Sequence, residues 1–204
     1  MQQQSSASAN IWEAAIVKFE ETDRRSPPPK EAVVFVGSSS IALWNDLADA
    51  FPSTKVINRG FGGSEIADAT HYIDRIVAPY QPKMVVLYAG DNDLDNGKAP
   101  QRVFEDFREF VNHIRRKLPG IRIAFISIKP SPARWHLIQH IRAANEMIRA
   151  YASQGADLIY LDIFTPMLAA NDRPREELFA ADKLHLSAEG YRLWTSVIAP
   201  RIAR

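Results

Sequence analysis

The most constraining feature of the sequence is an alternation of short apolar, β-branched runs with segments of helical periodicity. The apolar runs occur at 33–36, 56–57, 84–88, 121–128 and 158–161. Helical spacing of apolar residues occupies 41–50, 66–77, 100–117, 134–153 and the stretch from 187 to the C-terminus. Strands that alternate with helices predict a parallel sheet covered by helices on both faces.

A further helical pattern precedes the first strand, at 11–22, and three prolines in "RRSPPPK" end it. The 204 residues are 46% hydrophobic, which suffices for one sizeable core. We therefore predict a single domain over 1–204, with an N-terminal helix and a proline-rich connector in 1–30. The first ten residues, "MQQQSSASAN", lack the basic and apolar regions of a secretory signal.

Charge and composition exclude several classes of partner. Lys and Arg total 25 and Asp and Glu total 24, so there is no basic field that would attract nucleic acid. The apolar runs are shorter than the ~20 residues that span a bilayer, so no membrane span is expected. Cysteine is absent, which is compatible with either a reducing or an oxidising compartment. Localisation and oligomeric state stay open.

Polar and glycine-rich stretches follow the predicted strands. Ligands of open parallel sheets bind beyond the carboxyl ends of the strands, so these stretches are the candidates for a site. They are "GSSS" at 37–40, "NRGFGGSEI" at 58–66, "YAGDNDLDNG" at 88–97 and, before the last helix, "ADKLHLSAEGY" at 181–191. Together they supply a serine, free backbone amides, an asparagine amide and an Asp-x-x-His pair, which acyl transfer requires.

In the order and spacing of these blocks the chain resembles the SGNH hydrolases, also called GDSL-type esterases and lipases, from residue 33 to residue 191. The resemblance implies a flavodoxin-like three-layer α/β/α sandwich with a central, mainly parallel five-stranded sheet. It aligns Ser39 with the nucleophile, Gly63 and Asn92 with the oxyanion hole, and Asp182 and His185 with the rest of the triad. The usual aspartate before the nucleophile is replaced by Ser38, which puts loop rigidity and pH dependence in question.

The chemistry of these residue types fits that alignment. A serine hydroxyl needs a base to take its proton, and histidine, with an ordinary pKa of ~6.5, does so at neutral pH. Asp182, three residues before His185, can hold the second ring nitrogen. The Ser39 and Gly63 backbone amides and the Asn92 side-chain amide would stabilise the oxyanion. An acyl-enzyme mechanism of this kind requires no metal or organic cofactor.

We therefore expect a serine esterase that acts on small-molecule carboxylic esters with short acyl or acetyl groups, including acetylated carbohydrates. A lysophospholipase or thioesterase activity stays open, as does a non-catalytic binding or scaffold protein of the same fold. The short chain without a long apolar lid argues against a dedicated triglyceride lipase. A nucleotide or flavin site is disfavoured because neither glycine-rich phosphate motif occurs.

Other polar residues have simpler interpretations. Ser40 is expected to cap the following helix and Ser38 to hydrogen-bond within the turn. Asp91, Asp93 and Asp95 are expected in turns or caps rather than in a metal site. The remaining histidines are expected to be structural: His71, His113, His136 and His140. Four side chains near the predicted cleft are candidate substrate contacts, although the last three could instead order a proline-rich loop: Trp44, Lys129, Arg134 and Trp135.

Overall fold

The computed structural model describes residues 11–203, so the polar stretch at 1–10 lies outside the described residues. Its centre is a sheet of five strands in the order β2-β1-β3-β4-β5, and every neighbouring pair is parallel. The strands are β1 (Val33–Gly37), β2 (Val56–Gly60), β3 (Met84–Tyr88), β4 (Arg122–Ile126) and β5 (Leu158–Leu161). The predicted flavodoxin-like parallel sheet is confirmed, since all five expected runs became strands.

Helices connect the strands. The α-helices are α1 (Glu13–Arg25), α2 (Ser39–Ala42), α3 (Leu47–Ala50), α4 (Ile66–His71), α5 (Ile73–Ile76), α6 (Asp91–Asp95), α7 (Pro100–Lys117), α8 (Ile138–Ala152) and α9 (Ala188–Ile202). Short 3₁₀ turns occupy Ala78–Tyr80, Pro132–Leu137, Thr165–Met167 and Glu176–Leu178. Pro100 is the first residue of α7, where a helix needs no backbone N–H donor.

The two faces of the sheet carry separate apolar clusters. Successive side chains of a strand point to opposite faces, so Val34 and Val36 of β1 enter one cluster while Val33 and Phe35 enter the other. Residues of α1, α4, α5, α7 and α8 complete the first cluster. Residues of α2, α3 and α9 complete the second. This is the predicted three-layer α/β/α arrangement.

Three helical predictions needed correction. The pattern at 41–50 forms two short helices, because the Asn58 side-chain amide donates to the carbonyls of Ile41 at 2.7 Å and Trp44 at 3.4 Å, which closes the first helix. The pattern at 66–77 is interrupted at Tyr72. The pattern at 134–153 becomes α-helical only from Ile138, after a 3₁₀ turn.

Candidate active site

Ser39 lies where β1 passes into α2, at the carboxyl edge of the sheet. Gly37 ends the strand with φ +139°, and a Cβ at that position would lie 1.8 Å from the carbonyl oxygen of Tyr88, so only glycine fits. The Ser38 amide donates to the same carbonyl at 3.0 Å. The turn therefore fixes the backbone of Ser39, whose side chain is half-buried at the surface of the edge.

His185 and Asp182 reach Ser39 from the loop before α9. The Nε2 atom of His185 lies 3.1 Å from Ser39 Oγ, and its Nδ1 lies 2.6 Å from Oδ2 of Asp182. The other carboxylate oxygen accepts from the amides of Leu184 and His185, both at 2.9 Å. Three of the residues predicted from the sequence thus form one hydrogen-bonded chain.

The loop that carries this pair is held at both ends. Phe179 and Leu186 form an antiparallel bridge, and the Ala180 amide donates to the His185 carbonyl at 2.8 Å. Ser187 begins α9 as its N-cap and accepts from the Gly190 amide. These bonds fix the backbone of the loop that carries His185.

Hydrogen bonds lower the pKa of Asp182 to about 2. The bond from the His185 side chain has the largest effect, and the bonds from the two backbone amides come next. The carboxyl group is therefore ionised throughout the neutral range. An ionised carboxylate on Nδ1 keeps a proton there and leaves Nε2 free to accept one, which is the tautomer a general base needs.

The glycine-rich segment after β2 forms a tight turn over 61–64, closed by the Ser64 amide on the Phe61 carbonyl at 3.4 Å. Gly63 has φ +78°, which its position in the turn requires and which glycine adopts without strain. A Cβ built on Gly62 would lie 3.8 Å from the Cβ of Ser39. The turn therefore lies directly beside Ser39, with both glycines exposed.

Asn92, in α6, is tied to this turn. Its Nδ2 donates to the Ser64 carbonyl at 3.0 Å, and its Oδ1 accepts from Arg134 Nη1 at 3.1 Å. Because an amide nitrogen has two hydrogens and Asn92 uses one of them within residues 11–203, the second is available to a ligand. Arg134 was predicted to contact the substrate, and the structure places it on the Asn92 side chain at the site's border.

Ser40, immediately after Ser39, points into the protein. Its Oγ accepts from Lys129 Nζ at 3.2 Å, and Lys129 also donates to Tyr88 at 2.9 Å and Asp91 at 2.8 Å. The prediction that Ser40 caps a helix is wrong, because α2 begins at Ser39. The prediction that Lys129 contacts substrate is also wrong, because its side chain is 1% exposed and neutralised by Asp91.

Two more expectations about this edge are corrected. Ser38 bonds the turn only through its backbone, and its buried Oγ has no hydrogen-bond partner within residues 11–203. Trp44 was a candidate substrate contact, but it is 1% exposed and packs against Phe35, Phe51 and Trp194. Its ring is therefore core rather than binding surface.

Trp135, the fourth candidate contact, is half-buried in the 3₁₀ turn after β4. The guanidinium of Arg173 lies 4.6 Å from its ring centroid. One face of the indole is therefore covered by a cation, which reduces the area that a sugar ring could stack on.

The acidic residues after β3 were expected in turns or caps, but they lie in α6, where Asp91 and Asp93 are buried. Asp91 pairs with Lys129 and Arg134, and although burial opposes ionisation, these two charges lower its pKa overall. Asp93 accepts from the Ile66 amide and from Lys98. Its burial raises its pKa to about 7, against the opposing charge of Lys98.

The four other histidines take no part in the hydrogen-bonded chain at Ser39. His71, His136 and His140 are exposed. His113 lies 3.1 Å from Asp74 on the surface of α7. Within residues 11–203, no group of three or more His, Asp or Glu side chains could hold a metal ion. No helix in the described part of the chain is long and apolar enough to cross a membrane.

Sequence reasoning missed Trp12, whose indole Nε1 donates to the carbonyl of Gly62 at 2.8 Å. The N-terminal helix thereby touches the glycine turn beside Ser39. The only available indication was a tryptophan at the start of an amphipathic helix outside the family-like blocks, and that pattern names no partner.

The sheet order and the polar carboxyl edge are those of the SGNH class of ester hydrolases. The chain belongs to the GDSL-like lipase/acylhydrolase family, whose model matches residues 35–193. It is therefore an ester-bond hydrolase by family. The helix α1 lies before the matched range.

Individual proteins agree with this placement. The chain is 25% identical over 197 residues to the GDSL esterase/lipase WDL1 of Oryza sativa subsp. japonica, covering 81% of this chain and 75% of that protein. A GDSL-like lipase from Bacteroides thetaiotaomicron superposes with a TM-score of 0.79 at 21% identity, over 92% of this chain and 96% of the other. A proposed acylhydrolase from Bacteroides fragilis superposes with a TM-score of 0.80 at 23% identity, over 96% of this chain and 98% of the other. These structures share the fold.

Proposed function

We propose that the protein is a serine esterase in which Ser39 is the nucleophile, His185 the general base and Asp182 the residue that orients and stabilises the imidazole. The observation that carries the proposal is the continuous chain from Ser39 Oγ through both ring nitrogens of His185 to Asp182, at 3.1 and 2.6 Å. Nucleophile and base within hydrogen-bond reach, with the base held by a third group, is the arrangement that activates a hydroxyl.

The reaction has two halves. As Ser39 Oγ attacks the ester carbonyl, its proton passes to Nε2 of His185, and the leaving alkoxide takes that proton when the carbon–oxygen bond breaks. Water then attacks the acyl-enzyme, gives a proton to His185, and the acid leaves as Ser39 regains its hydrogen. Protons and bonds balance at each half, so no other reactant is needed.

The negative oxygen formed in each half requires donors. The backbone amides of Ser39 and Gly63 and the free Nδ2 hydrogen of Asn92 supply them. This assignment is supported by the turn at 61–64 lying beside Ser39 and by the two bonds that orient Asn92. Loss of one such donor costs roughly 2.7–4 kcal/mol of transition-state stabilisation, so the set dominates the rate.

The substrates are carboxylic esters of short acyl groups on small alcohols, of which acetylated carbohydrates are one kind. Ser39 and His185 are partly exposed at an open edge of the sheet, which suits esters dissolved in water. The intact set of five residues argues against a scaffold without turnover.

The test compares adjacent serines. Hydrolysis of p-nitrophenyl acetate is measured for wild type, Ser39→Ala and the matched control Ser40→Ala. We expect Ser39→Ala to lose activity to background and to unfold at the same temperature as wild type. Ser40→Ala retains a kcat within about threefold, because its hydroxyl only accepts one bond from Lys129.

Wild-type turnover by the Ser39→Ala protein would remove Ser39 from the mechanism. Loss of turnover in Ser40→Ala with an unchanged unfolding temperature would move the nucleophile to the neighbouring serine.

A further inference from the structure

A cavity of about 500 Å³ lies between α1 and the segment that follows β2. Its wall is largely apolar, and Lys18 and Thr22 of α1 are exposed residues that also line it. The buried Arg59 also lines it, with its charge balanced by Asp23. The apolar wall and the glycine backbone are formed by Trp12, Ala15, Phe19, Ala42, Gly60, Phe61 and Gly62. Apolar concave sites of this size take an apolar ligand group.

The cavity adjoins the proposed nucleophile. Ala42 belongs to the same four-residue helix as Ser39. Gly62 lies close enough to Ser39 that a Cβ on it would be in ordinary van der Waals contact, at 3.8 Å. A group bonded to the carbonyl carbon at Ser39 can therefore extend over Gly62 into the cavity.

The position of His185 decides which half of the ester points there. The leaving alcohol takes its proton from His185, so it lies on the imidazole side of Ser39. None of the residues lining the cavity comes from the loop at 176–187 that carries this histidine. The acyl half, on the opposite side, is the one that faces the cavity.

The helix that closes the cavity is held in place. Trp12 packs edge-to-face on Phe61 with ring centroids 5.9 Å apart and donates to Gly62. Farther along α1, Glu13 and Glu20 both pair with Arg75, at 2.8 and 2.7 Å. Because α1 precedes the family match at 35–193, this wall belongs to the chain's own N-terminal helix.

We infer that this cavity is an acyl-chain subsite that favours straight-chain acyl groups longer than acetyl. The inference rests on the proposed esterase function. Each methylene that leaves water for an apolar wall contributes about 0.8 kcal/mol, which corresponds to roughly a fourfold gain in kcat/KM. Trp12, which immediately precedes α1, and Ala15 of α1 thus set the chain-length preference, although both lie outside the range that the family model matches.

The experiment measures kcat/KM for p-nitrophenyl acetate, butyrate and hexanoate. For wild type we expect kcat/KM to increase along the series. Ala15→Phe fills the cavity from α1 and lowers the hexanoate-to-acetate ratio by about tenfold. The matched control is Ala14→Phe, which places the same ring on the exposed face of α1 and leaves the ratio at the wild-type value.

Trp12→Ala supplies a second variant, should Ala15→Phe not fold. It removes the largest apolar wall residue and likewise lowers the ratio, while thermal unfolding shows whether the chain is native. A folded Ala15→Phe or Trp12→Ala protein with the wild-type ratio overturns the subsite, as does equal lowering by Ala14→Phe.

Failure of the subsite and failure of the esterase proposal give different results. If Ser39→Ala abolishes acetate hydrolysis but wild-type kcat/KM does not increase with chain length, only the subsite is wrong. If acetate hydrolysis does not depend on Ser39, the esterase proposal itself is wrong, and the subsite with it.

Discussion

Ser39 and Ser40 are neighbours in sequence, yet their hydroxyls have opposite surroundings. Ser39 faces the open edge of the sheet and the ring nitrogen of His185. Ser40 is fully buried and accepts from the ammonium of Lys129, which also bonds Tyr88 and Asp91. Of the two hydroxyls, only that of Ser39 therefore has a partner here that can take its proton, because the protonated Lys129 beside Ser40 cannot accept one.

The charge state of Lys129 makes this contrast sharp. Burial opposes its charge, but Asp91 and the Tyr88 hydroxyl outweigh it and raise the lysine pKa overall. A serine–lysine pair catalyses only when the lysine is neutral, and this one is held as a cation. The buried group therefore fixes the strand ends, while the exposed group is free for chemistry.

The largest expected effect is on activity, and it distinguishes the exposed pair of Ser39 and His185 from the buried pair of Ser40 and Lys129. His185→Ala removes the proton acceptor of Ser39, so kcat falls by at least about 10⁴-fold. The unfolding temperature stays at the wild-type value, since the ring packs at the surface. The matched control is His113→Ala, whose ring lies beside Asp74 on the surface of α7 and which retains full activity. A His185→Ala protein with kcat within tenfold of wild type would contradict the assignment.

The next effect is on stability rather than on rate. Lys129→Met leaves Asp91 buried with only Arg134 to balance it, and breaking a buried pair in this way costs about 3–5 kcal/mol of unfolding free energy. Denaturant unfolding measures the change. The control Lys55→Met, at an exposed lysine, shifts the midpoint little. An unchanged midpoint for Lys129→Met would show that the buried group does not hold the edge.

A smaller effect tests Arg134, which contacts both Asp91 of the buried ion pair and Asn92 at the site. Arg134→Met frees the Oδ1 of Asn92, so the amide loses its fixed orientation and kcat falls by roughly tenfold, a fraction of the 10²–10³ expected for losing the donor itself. Since Arg134 acts through Asn92, KM changes little, and Arg134→Lys restores part of kcat. Arg142→Met, at a surface ion pair, serves as control. A rise in KM at constant kcat would instead make Arg134 a substrate contact.

A separate effect concerns the pH dependence of stability. Burial raises the pKa of Asp93 to about 7, above the ~3.9 of an unfolded aspartate. Between these values the native state binds the extra proton, so this group's contribution to stability is present at low pH and lost as pH rises through 7. Asp93→Asn therefore flattens the decline of unfolding free energy between about pH 4 and 8. The control Asp49→Asn, at an exposed carboxylate, leaves the slope of unfolding free energy against pH unchanged. A wild-type slope in Asp93→Asn would show that Asp93 does not cause the decline.

The fold was predictable because each strand is a short β-branched run between helical patterns. The site residues followed from the family-like blocks at the strand ends. Burial of side chains at the carboxyl edge was not predictable. The aromatic Trp44 and the charged Lys129 both follow predicted strands, where substrate contacts are common, yet both lie in the interior. The pairing of Lys129 with Asp91 joins two strand ends, and no local pattern contains it.

The same limit explains Ser40 and Trp12. Ser40 sits where a capping serine is common, but the helix starts one residue earlier and turns its hydroxyl inward. Trp12 contacts Gly62, fifty positions away. Contacts that depend on how a helix docks against a distant turn are set by tertiary packing rather than by local sequence.

The most direct test of the central claim is to treat the native protein with a fluorophosphonate and locate the adduct by peptide mapping. Activation of Ser39 by His185 predicts one adduct per chain on Ser39, none on Ser40, and loss of labelling in His185→Ala. An adduct on Ser40, or no adduct on the folded protein, would contradict it.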